Sequence, residues 1–246
     1  MIFNPPPFRP DIIVTWPRNN DYPVWREFIR DNRHRFNEII IVFMNPNQGP
    51  DYSEFIREAM QTDYIHFVDS PPIRGGEDWR NVAVNAALLH SYNAPWVWFT
   101  EQDFYILDDK FWFEVYTKCQ TYDVIGITQG ARLHPACMFM RREALDNTKK
   151  NFGIVEGQSD HFGQIQKDIE SQKMRRCYFS DPTGIGYKHF NGLSQNWTLL
   201  ANGGEPNYEP EDFYKYLEAC LNASVPLDPR WVEIAQKGIN TAKMRK

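Results

Sequence analysis

One stretch constrains this chain more than any other: Trp96, Val97, Trp98, Phe99 and Thr100, set off by Pro95 and running into Glu101, Gln102 and Asp103. A short run of large apolar and β-branched side chains is the pattern of a strand covered on both faces, as the central strands of α/β sheets are. Its carboxyl end is acidic, and open α/β sheets hold their ligands at that end. Glu101 and Asp103 lie two residues apart, so in extended geometry both carboxylates point to one side. Such a pair suits a divalent cation holding a diphosphate, because hard cations prefer oxygen ligands and screen phosphate charge. A strand ending in a solvated acidic loop, with Asp108 and Asp109 beyond it, has the same composition, and the triplet alone leaves both readings open.

Around that strand the apolar pattern alternates between two periods. Strands are expected over residues 11–18, 38–44 and 65–69, and helices over 24–36, 51–60 (capped by Asp51) and 78–92. Strand and helix alternate through four cycles, which implies an α/β fold with a parallel, doubly wound sheet and right-handed crossovers. Beyond residue 110 the rhythm changes. Helices are expected over 111–121, 143–149 and 160–172, strands over 123–128, 134–141 and 175–180, and a glycine-punctuated loop over 184–192. Helices over 208–222 and 229–237 then form a C-terminal appendage. The expected organisation is one domain over 1–200, a mostly parallel central sheet flanked by helices, with a helical extension over 201–246 packed on it.

Composition narrows the partners. The formal net charge of −5 gives no global attraction to nucleic acid or to an anionic membrane. Basic clusters at Arg26, Arg30, Arg33 and Arg35, at Arg141, Arg142, Lys149 and Lys150, and at Lys173, Arg175 and Arg176 leave open a local face that tracks phosphates; ordinary solvated surface fits them equally. Cys119, Cys137, Cys177 and Cys220 lack metal-site spacing, so reduced thiols are expected. The first residues show no basic and then apolar leader, and no apolar run is long enough to span a bilayer. A cytoplasmic protein without a membrane span is expected, in the host cytoplasm if the chain is phage-encoded.

The order of these signals resembles the GT-A fold of nucleotide-sugar glycosyltransferases, particularly the small inverting enzymes of family 2 type, over roughly residues 11–195. The residues that carry the likeness are Thr15, Trp16, Pro17 and Arg18 after the first strand, Asp69 at the end of the third, and Arg80, Asn81 and Asn85 on the following helix. The acid-ended fourth strand, Asp160 after a glycine loop, and the late His189 complete it. The resemblance implies a glycosyltransferase of hexosyltransferase type that takes a nucleoside diphosphate sugar, a UDP-sugar by preference, as donor and Mn²⁺ or Mg²⁺ as cofactor. In such enzymes the fourth strand ends in Asp-x-Asp; here Glu101 replaces the first acid. By resemblance Asp103 and His189 are the metal ligands, while Glu101 and Gln102 contact the donor or reach the metal through water. Thr15, Trp16, Arg18 and Asp69 would hold the nucleoside. Arg80, Asn81, Asn85 and Lys188 would face the crevice, with Lys188 reaching the diphosphate. Asp160 takes the place of the catalytic base, with His161 beside it, and His134 that of a residue on the acceptor side.

Plainer readings stand beside each of these. Asp160 at a helix start is an ordinary cap, Arg80 is placed for an ion pair with Glu77, Trp16 fits a core, and a lone His189 fits a structural role. The acceptor is open between a glycan or small hydroxylated molecule and a hydroxymethylated DNA base, the latter because compact phage-type DNA-modifying enzymes are similar in size. A nucleotidyltransferase would use the same sheet but would carry a glycine- and lysine-rich first loop instead of Thr15, Trp16, Pro17, Arg18 and Asn19. A non-catalytic nucleotide-sugar binding module would keep the cleft and tolerate loss of Asp160.

Overall fold

The computed structural model describes residues 8–17, 23–44, 65–71, 78–129, 132–154, 162–179, 182–190, 192–224, 227 and 229–244. The chain opens with strand β1 (Asp11–Pro17), helix α1 (Pro23–Asn32), β2 (Ile39–Met44), β3 (Ile65–Asp69) and α2 (Trp79–Leu88). Then come β4 (Trp96–Glu101), β5 (Phe104–Ile106), α3 (Lys110–Cys119), β6 (Val124–Gln129), β7 (Arg132–Arg141) and α4 (Arg142–Asp146). The remainder is α5 (Gly163–Ser171), β8 (Arg176–Phe179), α6 (Pro182–Ile185), β9 (Tyr187–His189), α7 (Leu193–Ala201), α8 (Pro210–Asn222) and α9 (Pro229–Lys243).

Seven strands form one sheet in the order β3-β2-β1-β4-β7-β6-β8, and β5 pairs with β9 in a separate ribbon. β3, β2, β1 and β4 are mutually parallel, β7 is antiparallel to both of its neighbours, and β8 lies parallel to β6. The expected mostly parallel α/β sheet is therefore present. Period-2 geometry divides the strand residues between two cores. Ile12, Val14, Ile39, Ile41, Trp96 and Trp98 face a cluster shared with α1, α3, α7, α8 and α9, whereas Ile13, Ile40, Val42, Val97 and Phe99 face α2 and α5. Each such side chain, fully buried, contributes about 1.5–3 kcal/mol. Most of the aromatic excess is spent here. The rings of Trp98 and Phe139 stack at 5.0 Å and 6°, and Trp25, Trp98 and Trp197 are completely buried.

Several expected boundaries shift. The helix anticipated over 160–172 begins at Gly163, with Phe162 in a left-handed conformation (φ 65) at its N-cap. The supposed loop over 184–192 contains α6 and β9, and α7 was not anticipated. The division expected at residue 200 falls inside α7, and Phe213, Leu217, Ala235 and Ile239 beyond it join the same buried cluster as the sheet. The helix expected over 51–60, with Asp51, lies outside the described residues. None of the four cysteines forms a disulfide, and among the described residues no helix is long and apolar enough to cross a membrane.

The basic clusters are largely answered from within. Arg35 pairs with Asp109 at 2.7 Å, Arg30 with Asp31 at 2.8 Å, Lys150 with Asp146 at 2.8 Å and Arg176 with Glu170 at 3.3 Å. Arg175 binds Asp123 at 2.8 Å, and Arg141 lies 3.6 Å from the same carboxylate while its guanidinium sits 5.0 Å over the ring of Trp96. Each of these charges is thus held beside a carboxylate of the protein.

Arg142 is the buried case. It reaches Asp11, completely inaccessible at the start of β1, at 3.1 Å, and Asp11 also accepts from Ser91 Oγ and Asn37 Nδ2, both at 2.8 Å. Removing one partner of such a network leaves a desolvated charge. Asp11→Ala is expected to cost about 3–5 kcal/mol in urea unfolding; a loss below about 1 kcal/mol would show that Arg142 finds water or another acceptor.

Candidate active site at the carboxyl end of the sheet

From β1 the chain passes to β2 and β3 on one side of the sheet and returns to β4 on the other, which makes the β1/β4 boundary the switch point where such sheets open a crevice. Thr15 stands in register with Glu101 across that boundary, and its buried hydroxyl has no hydrogen-bond partner among the described residues. Glu101 closes β4. The backbone does not continue extended as the sequence suggested: it turns at Gln102 and Asp103, both buried, and then enters β5.

That turn matters because β5 pairs antiparallel with β9, Phe104 opposite His189, Tyr105 opposite Lys188 and Ile106 opposite Tyr187. Phe190 N–H adds a bond to the carbonyl of Asp103 at 2.8 Å. A residue far along the chain is thus delivered to the acid-ended strand. Glu101, Asp103 and His189 each present a ligand atom to one cluster, all within 4.8 Å of one another, and His189 Nε2 is 3.6 Å from Asp103 Oδ1. Ligand atoms each roughly 2.0–2.6 Å from a single ion lie at most about 5 Å apart, so the spacing fits one divalent cation. Two carboxylates and an imidazole are also a donor set such an ion accepts. Burial pushes the His189 imidazole down to about 4, and the His134 ring, 4.6 Å away, acts in the same direction. The ring is therefore neutral at neutral pH, with a lone pair to offer.

The neighbouring residues divide. Arg80 lies at the start of α2 and forms an ion pair with Glu101, both side chains only 12% exposed, while Glu77 lies outside the described residues. Asn81 and Asn85, expected to face the crevice, instead grip the backbone after α4: Asn81 Oδ1 accepts from Phe152 N–H at 2.8 Å, and Asn85 Nδ2 donates to the carbonyl of Lys150 at 3.0 Å. Asp78 caps α2 through the N–H groups of Arg80 and Asn81 and accepts from Ile154 N–H at 2.9 Å. Residues 150–154 are so fastened to α2 just before the segment holding Asp160.

Lys188 is also reassigned. Its ammonium binds Asp212 at 2.5 Å and Glu209 at 3.4 Å, tying β9 to α8 instead of extending toward a diphosphate. Burial lowers its affinity for a proton, and the two carboxylates outweigh that, so the group stays charged. Trp16 is the penultimate residue of β1 and Asp69 ends β3, both in register with Phe43, at the same edge as Glu101. The Trp16 and Asp69 side chains, and Arg18, Asp160 and His161 entirely, lie outside the described residues.

Sequence reasoning missed the wall on the far side of His189. A cavity of about 750 Å³ opens there between the ends of β6 and β8, α6, β9 and the start of α8, with Asp108, Thr128, Tyr187, Lys188, His189 and Glu209 in its lining. Its only forewarning was the acidic tail after β5, since Glu209 comes from an element distant in sequence.

A sheet of this order, with an acid cluster at the carboxyl end of β4 and a late histidine folded back onto it, has the GT-A fold, the Rossmann-like fold of nucleotide-sugar glycosyltransferases. Among solved structures, the chain is similar to residues 1–349 of S. aureus TarS, with 14% identity and a TM-score of 0.50 over 88% of this chain and 66% of that one, just under two thirds of its length. It is also similar to glucosyl-3-phosphoglycerate synthase from Mycobacterium tuberculosis in complex with Mn²⁺, UDP-glucose and phosphoglyceric acid (16% identity, TM-score 0.48, 81% of each chain). A third likeness is to 4-diphosphocytidyl-2C-methyl-D-erythritol synthase from Anaerococcus prevotii DSM 20548 (8% identity, TM-score 0.45, 70% of this chain and 88% of that one). At these identities the likeness is one of fold. No protein-family model matches the sequence, and no curated protein is significantly similar to it.

Gly186 sets the register that brings His189 home. Its φ is +83, its carbonyl accepts from Leu107 N–H at 2.8 Å, and an added Cβ would meet the Cβ of Asp108 at 2.5 Å. Gly186→Ala should cost about 1–3 kcal/mol in backbone strain and steric conflict and weaken Mn²⁺ binding in calorimetry. Wild-type affinity would mean that β9 keeps its pairing without this residue.

Proposed function

We propose that the protein is a metal-dependent glycosyltransferase that moves a sugar from a nucleoside diphosphate sugar, a UDP-sugar by preference, to an acceptor hydroxyl with inversion at the anomeric carbon. The observation that carries the reading is the convergence of Glu101, Asp103 and His189 at the switch point of a GT-A sheet. Asp103 and His189 hold a Mn²⁺ or Mg²⁺ ion, and Glu101, balanced by Arg80, stands beside them to orient the donor or complete the coordination. The bound cation supplies charge stabilisation for the leaving diphosphate.

Thr15, Trp16, Arg18 and Asp69 are assigned to the nucleoside because β1 and β3 end on the same edge as β4. Gln102 lies in the turn between the two acids and is assigned to the donor as well. Asp160 is assigned as general base. It accepts the proton of the acceptor hydroxyl while that oxygen bonds to the anomeric carbon and the carbon–oxygen bond to the diphosphate breaks. Support for this placing comes from residues 150–154, which Asp78, Asn81 and Asn85 hold against α2 immediately before Asp160.

Asp103→Ala should abolish Mn²⁺-dependent binding of UDP in calorimetry and lower turnover at least about 100-fold, as loss of a directly placed electrostatic contact does, with an unchanged circular dichroism melting curve. Full binding of UDP by that variant, or in EDTA, would refute the metal-centred reading. Asp160→Asn should leave UDP binding as in wild type while lowering turnover about 100-fold or more; undiminished transfer would remove Asp160 from the role.

A further inference from the structure

The cavity beside His189 bears on the acceptor, and its assignment rests on the proposed donor site. It shares His189 with the metal cluster and opens away from the ends of β1 and β3, to which the nucleoside is assigned. Its volume of about 750 Å³ lies within the range of small-molecule sites.

The charges on its wall are of one prevailing sign. Asp108 and Glu209 line it, and the cationic residue in the lining, Lys188, is already held by Glu209 at 3.4 Å and Asp212 at 2.5 Å. Among the described lining residues that leaves two carboxylates, Asp108 and Glu209, beside one occupied ammonium; Asp212 lies outside the lining and is also paired with Lys215 at 3.3 Å. Lys110 lies 3.9 Å from Asp108, but its side chain is 69% exposed and is not part of the wall, so solvent screens it. Among the described residues no arginine lines the cavity. Among the described lining residues, no unoccupied cationic side chain is present to meet a phosphorylated acceptor.

The same wall suits a polyol. Carboxylates accept hydrogen bonds from vicinal hydroxyls, Thr128 adds a hydroxyl, and Phe179, Tyr187 and Pro182 offer apolar faces for the C–H side of a sugar ring. The Tyr187 ring is held in place by stacking on Phe104 at 5.2 Å and by its hydroxyl, which donates to the carbonyl of Phe179 at 3.2 Å.

We infer that this cavity is the acceptor site and that it selects an uncharged polyhydroxylated acceptor, a neutral saccharide, through Asp108 and Glu209, excluding phosphorylated small molecules and nucleic acid. The pairing of Arg142, Arg175 and Arg176 with Asp11, Asp123 and Glu170 agrees, since each of these charges already faces a carboxylate.

The test uses the full chain with Mn²⁺, a panel of UDP-sugars and two acceptor pools read by mass spectrometry. One pool holds methyl glucoside, lactose and cellobiose; the other holds glucose 6-phosphate and a duplex containing hydroxymethylcytosine. Transfer to the neutral pool is expected to exceed transfer to the charged pool by roughly tenfold or more, and Glu209→Gln to raise the acceptor KM roughly tenfold with little change in kcat. Equal or greater transfer to glucose 6-phosphate or to the duplex overturns the inference, as does an acceptor KM that Glu209→Gln does not move. Mn²⁺-dependent UDP binding, measured in parallel on wild type and variant, keeps the two readings apart. Intact UDP binding with no product from the neutral pool defeats the acceptor assignment alone, whereas absent UDP binding in wild type defeats the donor reading.

Discussion

The pairing of β5 with β9 is the interaction on which the site depends. Three residues of each strand suffice because the ribbon is set in the aromatic core: Phe104 stacks on Tyr187 at 5.2 Å, and Trp25 Nε1 donates to the carbonyl of Phe104 at 3.0 Å. The side-chain period of a strand is two, so a slip by one residue would turn His189 away from Asp103 and put Lys188 in its place. Gly186 on one side and the Phe190–Asp103 backbone bond on the other oppose that slip. Lys188, bound to α8, carries the restraint into the C-terminal helices, which therefore belong to the machinery of the cleft as well as to its support.

Charge is arranged in opposite senses on the two sides of this ribbon. On the β4 side two largely buried carboxylates share a small volume, an arrangement that is costly without a cation; Arg80 offsets one of them and a neutral His189 adds no competing charge. In the proposed function a divalent ion offsets what remains. Toward β6 and α8 the described cavity lining holds Asp108 and Glu209 and a single lysine, Lys188, which is occupied. On the proposed reading, diphosphate and acceptor are met by different electrostatics a short distance apart.

Other arginines and asparagines serve the frame. Asp11 and Arg142 join the first strand to the end of β7, and Asn81 and Asn85 fasten the backbone over 150–152. These residue types are common in binding sites, and nothing in their spacing distinguishes one use from the other. The basic clusters illustrate the same point: their partners Asp109, Asp123 and Glu170 come from other elements, and only the assembled chain shows that the charges cancel.

The parallel half of the sheet was legible because a two-residue period and runs such as Ile39, Ile40, Ile41 and Val42 admit few alternatives, and the acid at the end of β4 marked the edge where a ligand belongs. The pairing of Asp103 with His189 came from a resemblance in the order of signals; periodicity offers no hint of it. Strand β9 has three residues, too few for a period, and was read as loop; α7, with polar residues interleaved among Leu193, Trp197 and Leu200, gave no clear stripe. By itself the sequence determined a doubly wound sheet with an acidic lip, since local pattern and burial decide those. Which histidine meets the acids, where Arg80 and Lys188 spend their charge, and the electronegative cavity beside the cleft were decided by tertiary structure, because each depends on side chains that are distant along the chain and adjacent only after folding.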